Sequence, residues 1–157
     1  VRTGQMVKIK KHLNFRKNFI SLLGVIFMTP LTISAQEVTV QVTNIDVNKT
    51  GNILVMLYSD KGFPKDHQQA LAIKELPANK TNLTVNFSAV PEKFAIKILH
   101  DEDETGSVTK NWTGIIPAEG LGFSNGAKLF LGPPSFKKAQ LKRSTITQPI
   151  SIGIIYP

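Results

Sequence analysis

The chain has no cysteine. That excludes disulfide staples, thiol catalysis and zinc held by thiolates, so any core must hold by packing alone. Aromatic residues are sparse, at 8%, with a single tryptophan, Trp112. No nucleophile elbow, H-E-x-x-H pair, phosphate-binding loop or dinucleotide fingerprint occurs. This argues against an enzyme and leaves catalysis only to groups converging from separate loops. No apolar run reaches the roughly 20 residues of a spanning helix, and the longest, residues 19–28, is about half of that. Internal repeats and low-complexity tracts are also absent.

The net charge of +8 is unevenly placed. Arg2, Lys8, Lys10, Lys11, Arg16 and Lys17 lie in residues 1–35, where there is no acid, and the remainder is close to balance. A balanced remainder has no basic footprint for nucleic acid. The N-terminal segment reads as a secretory signal peptide. It has a start at Met6 (or at Val1 from an alternative codon), a basic stretch to Lys17, the apolar run 19–28, Pro30, and small or apolar residues Ile33, Ser34 and Ala35 before a cut. No Cys follows to carry a lipid. The expectation is an exported protein, periplasmic or secreted, with residues 36–157 forming one domain and no membrane span after cleavage. A retained N-terminal anchor is the alternative.

Within residues 36–157 the dominant period is two, the signature of half-buried strands. Val38, Val40 and Val42 alternate with polar residues, as do Leu83, Val85 and Phe87. Phe94, Ile96, Ile98 and His100 share one face of a strand whose other face is Ala95, Lys97 and Leu99. Residues 53–58 are apolar on both faces and so read as a central strand, paired in a hairpin with the strand at Val38 across the Asn48–Asn52 turn. Asp66, with Gln69 as its capping-box partner, opens a helix of at most two turns with Ala70, Leu71 and Ile73 on its apolar face. Further strands are expected at 127–131, at 136–141, and at Ile150, Ile152, Ile154 and Tyr156. About seven strands, one short helix and one long loop make an all-β sandwich.

The long loop, residues 100–136, carries most of the candidate chemistry. Asp101, Asp103, Thr105, Gly106 and Ser107 match the opening positions of a calcium loop. Position 12 is Trp112, so the bidentate acid is missing, and an acidic solvated turn is the competing reading. His100 and Asp101 are neighbours in an extended chain and face opposite ways, so they form no dyad. His100 is expected as a hydrogen-bonded histidine at the sheet rim, and His67 at the surface. Trp112, Phe123 and Phe130 either line a ligand or saccharide surface or pack the loop onto the sheet; packing is the expectation. His100, Asn111, Trp112, Glu119, Phe123 and Asn125 are the candidate ligand-binding residues.

Several blocks in this stretch carry a resemblance: His100-Asp101-Glu102, residues 114–125 ending in GFSN, residues 132–136 (GPPSF), and Ala139, with Gly62-Phe63-Pro64 and Ala70-Leu71 upstream. With these the chain resembles an uncharacterised family of secreted bacterial proteins, domain of unknown function 2141, from about Glu37 to Tyr156. The resemblance implies an exported immunoglobulin-like or prealbumin-like β-sandwich and no known activity. Members often carry an H-D-E-N-x-N-G-x-x-D loop; here Asp103 and Thr105 stand at the Asn positions and Thr109 at the last Asp. The functional expectation is a non-catalytic binding or structural module, with an envelope protein or a saccharide as partner. A hydrolase using His100 with Asp101, Asp103 or Glu119, and a purely architectural loop, are the rivals.

Overall fold

The structure, a computed structural model, describes residues 37–157; the signal-peptide reading falls on residues outside that range. Eight strands form two sheets. They are β1 (Val38–Thr43), β2 (Asn52–Tyr58), β3 (Ala72–Pro77), β4 (Leu83–Phe87), β5 (Lys93–Asp101), β6 (Gly120–Phe123), β7 (Leu141–Lys142) and β8 (Ile150–Gly153). One sheet has the order β4-β1-β8 and the other β3-β2-β5-β6, with β7 added beside β5. Helix α1 is a single turn, Phe136–Ala139.

The alternating sequences do what their period requires. Val38, Val40 and Val42 of β1, Val85 and Phe87 of β4 and Ile152 of β8 meet Ile53, Val55 and Leu57 of β2 and Phe94, Ile96 and Ile98 of β5 in one buried cluster. This is a sandwich-like packing of two sheets. The immunoglobulin-like or prealbumin-like assignment rests on the resemblance alone. The other face of β2 also buries its side chains: Leu54, Met56 and Tyr58 join Leu99, Leu121 and Phe123 in a second cluster. Among the described residues no second sheet covers that outer face. Loops do, through Phe63, Ala70, Val108 and Ala127.

Four expectations are corrected. β1 and β2 are not a hairpin, because β1 pairs with β4 antiparallel and with β8 in parallel. The turn after β1 crosses to the other sheet. Ala70, Leu71 and Ile73 do not form a helical face. Asp66 does cap a turn, accepting from the Gln68 N–H at 3.0 Å, but that turn spans only His67–Gln69. The chain then pairs with β2 from Ala72. The open edge of β2 supplies hydrogen-bond partners that a two-turn helix could not offset. Residues 127–131 form no strand, and 136–139 are helical rather than extended.

The last strand of the larger sheet is instead the glycine-bearing β6. A Cβ at Gly120 would lie 2.5 Å from Cε1 of Tyr156, and one at Gly122 would lie 3.0 Å from the Gly153 carbonyl. Only glycine lets β6 approach the opposite sheet closely enough for Leu121 and Ile155 to exchange backbone hydrogen bonds, both 2.9 Å.

Candidate functional site

Strand β5 distributes the candidate residues between two faces. His100 points inward and is fully buried. Its Nε2 lies 3.0 Å from the Thr50 carbonyl, which can only accept, so Nε2 carries the proton. Nδ1 then accepts from the Tyr156 hydroxyl at 2.8 Å, and that hydroxyl in turn accepts the Asp46 N–H at 2.9 Å. His100 is therefore a satisfied core residue, not a rim one. Both ring nitrogens are committed, and Asp101, the next residue along the strand, faces the opposite way.

Asp101 points outward and organises the start of the β5–β6 connection. Its two oxygens accept the Thr105 and Gly106 N–H groups at 3.0 and 2.8 Å. Glu119, at the far end of the connection, accepts from the Glu102 and Thr109 N–H groups at 3.0 and 2.8 Å. Asp103 accepts from the Thr109 hydroxyl at 2.6 Å, which with the Thr105 bonds holds its carboxyl below the usual range. Donor oxygens of Asp101, Asp103 and Glu119 lie within 4.8 Å of one another. Burial, and after it the charges of Asp103 and Asp101, push the Glu119 carboxyl up against the pull of its two N–H donors. Of the expected metal set, Asp101 and Asp103 come together. Thr105 and Ser107 instead bond within the loop, the Thr105 hydroxyl donating to the Ser107 carbonyl at 3.1 Å. The third carboxylate of the group, Glu119, lies outside the local spacing. Glu102 is drawn away by Lys49 at 2.8 Å.

The tip of the connection is a turn closed by the Asn111 N–H to Ile116 carbonyl bond, 2.8 Å, with the Asn111 side chain accepting from the Thr113 N–H at 3.2 Å. It leaves Trp112 96% and Ile115 79% exposed. Trp112 therefore does not pack the loop down, and neither does Phe130, which is 88% exposed. Phe123 is buried. The residue that pins the loops is Phe63, edge-on to Tyr58, Phe123 and Phe136 at 5.5, 6.2 and 5.9 Å. Asn125 stands away from this region. It takes a left-handed conformation, φ 56°, and donates to the Lys138 carbonyl at 3.0 Å, tying α1 to the end of β6.

Between the connection, the 129–133 segment and the turn at Pro64 lies a cleft of about 670 Å³ over the outer face of β5 and β6. Its walls include Ile115, Ile116, Leu129, Phe130 and Leu131, and Phe123 lies beneath them. Lys97 also lines it, although the side chain is almost wholly buried. The ammonium donates to the Pro64 carbonyl at 2.9 Å and to His67 Nε2 at 2.6 Å. His67 Nδ1 donates to the Gly106 carbonyl at 2.8 Å, which leaves Nε2 as the acceptor for the lysine. His67 is thus half-buried and bonded, not a free surface group. Burial pushes the Lys97 ammonium down to about 8, with only the charge of Glu119 opposing. Burial, then the Lys97 charge, lower His67. The ion pairs among the described residues are Lys49–Glu102 and Arg143–Glu92, so Lys97 has no carboxylate beside it.

Lys97 and the cleft were missed from sequence. The signal was a single lysine in the middle of a strand otherwise apolar on both faces.

The family described as an uncharacterised protein conserved in bacteria, DUF2141, matches residues 40–151, and the chain belongs to it. No curated protein and no solved structure matches.

Proposed function

We propose that the chain is an exported, non-catalytic binding module whose ligand enters the cleft beside the β5–β6 connection. The observation that carries this reading is the apolar rim. Ile115, Phe130 and Leu131 stand 79%, 88% and 94% exposed around one concavity, and a contiguous apolar patch of this kind marks a surface that meets a partner. A volume of about 670 Å³ lies within the range of small-molecule sites. The acidic loop serves this reading as scaffold, since it sets the height of the wall carrying Ile115. The test is titration with the neutral fluorophore N-phenyl-1-naphthylamine. Enhanced emission that is lost in the Phe130→Asp, Leu131→Asp protein supports the reading. A folded protein that leaves the probe dark overturns it.

A second reading is favoured by the convergence of Glu119 with Asp101 and Asp103. Three carboxylates within 4.8 Å of one another would hold a calcium-type cation, which takes oxygen ligands and relieves their mutual repulsion. Addition of millimolar calcium after EDTA is then expected to raise the unfolding temperature by several degrees, as for a ligand present well above its dissociation constant. The Asp101→Asn protein is expected to lose the rise. An unchanged transition in the wild type removes the cation from the account.

A further inference from the structure

We propose that the occupant of the cleft is an amphiphile with a single carboxylate head, the head meeting the Lys97 ammonium and the tail lying along Phe130 and Leu131. The inference rests on the binding reading above and adds the chemical class of the ligand.

Three observations converge on it. First, Lys97 is 3% exposed and has no carboxylate within ion-pair distance. A cation placed so costs several kcal/mol unless a counter-charge arrives, and a leucine or methionine would pack the same position without that cost. Second, the partners Lys97 does have are neutral acceptors. The Pro64 carbonyl and His67 Nε2 take two of its three protons, and no protein acceptor among the described residues takes the third. His67 is held by Gly106 in the tautomer that accepts, so it orients the ammonium and supplies no charge. Third, the lining holds Lys65, Lys110 and Lys97, and neither an aspartate nor a glutamate.

The cleft is therefore electropositive at its polar groups and apolar elsewhere. In such a setting a carboxylate–ammonium hydrogen bond is charge-assisted and little screened by water. Lys65 and Lys110 are exposed and screened by water, so the one buried ammonium sets the balance at a single negative charge, which selects a carboxylate over a doubly charged phosphate ester. Apart from the lysines, His67 and Ser107, the walls are aliphatic or aromatic, which calls for a hydrocarbon tail and disfavours a sugar.

The experiment compares decanoate with 1-decanol, its uncharged counterpart, by calorimetry and by the emission of Trp112, which stands on the connection that walls the cleft. Decanoate is expected to bind at least about tenfold more tightly than decanol, the smallest effect of one charge-assisted hydrogen bond. The Lys97→Met protein, its fold checked by circular dichroism, is expected to bind the two equally. Equal binding of both by the wild type overturns the carboxylate assignment and leaves the apolar binding reading standing. Binding of neither overturns both. Tighter binding of decyl phosphate than of decanoate also overturns the assignment.

Discussion

Replacing Lys97 by methionine is expected to stabilise the protein at neutral pH. The ammonium is held near pH 8, against an ordinary value of 10.5, by burial. At about 1.4 kcal/mol for each pH unit, this gap corresponds to about 3 kcal/mol. The sign follows from proton counting. Between pH 8 and 10.5 the unfolded chain holds the Lys97 proton and the folded chain has released it, so wild-type stability rises with pH across that window. Below pH 8 the folded protein carries the whole penalty. Methionine removes it but leaves the Pro64 carbonyl and His67 Nε2 without their donor, at about 1 kcal/mol each; both lie along the cleft, where water can replace the lysine. The net gain at pH 7 is therefore about 1 to 2 kcal/mol, falling by about 3 kcal/mol by pH 10.5 and so changing sign. Urea unfolding of both proteins at pH 7 and pH 10.5 measures it as a shift in midpoint. A variant less stable than wild type by the same amount at both pH values would refute the argument. It would mean that Lys97 is a compensated structural residue.

Gly120→Ala forces a methyl onto the Tyr156 ring at 2.5 Å and onto Ile154 at 2.6 Å; a loss of about 1 to 3 kcal/mol is expected by urea unfolding, with the larger value if the Tyr156–His100 bond breaks. Glu119→Gln keeps one acceptor oxygen and turns an amide N–H toward the other backbone donor, so cleavage of residues 102–118 in limited proteolysis should quicken several-fold while global stability falls by about 1 to 2 kcal/mol. Tyr58 is pushed up to about 12 by burial. Between pH 10 and 12 the unfolded tyrosine gives up its proton while the folded one keeps it, so stability falls with pH there; the Tyr58→Phe protein should show a shallower fall, and an equal fall in both would place the cause elsewhere. Phe63→Ala removes three edge-to-face ring contacts and is expected to cost about 3 kcal/mol in urea unfolding.

The candidate site was legible in part for reasons the same residues explain. Asp101 and Asp103 are close in sequence and their loop could be read locally. Glu119 joins them only because β6 runs back along β5, placing Gly120 opposite His100. The apolar run Leu129, Phe130, Leu131 reads as a strand because periodicity registers hydrophobicity and not what a side chain faces; here it faces a cleft. His100 is hydrogen-bonded as expected but central and not peripheral, since its partners Thr50 and Tyr156 lie 50 and 56 residues away.

What the sequence determined by itself is what local physics governs: period-two strands at Val38, Leu83 and Phe94, the doubly buried β2, the Asp66 cap, and the family. Only the tertiary structure decided which strands share a sheet, that glycines at 120 and 122 make a strand and not a loop, and that Lys97, His67 and Phe130 surround one space. Sheet partners are chosen by non-local backbone hydrogen bonds and by the fit of side chains across the core. Neither leaves a mark at any fixed spacing along the chain.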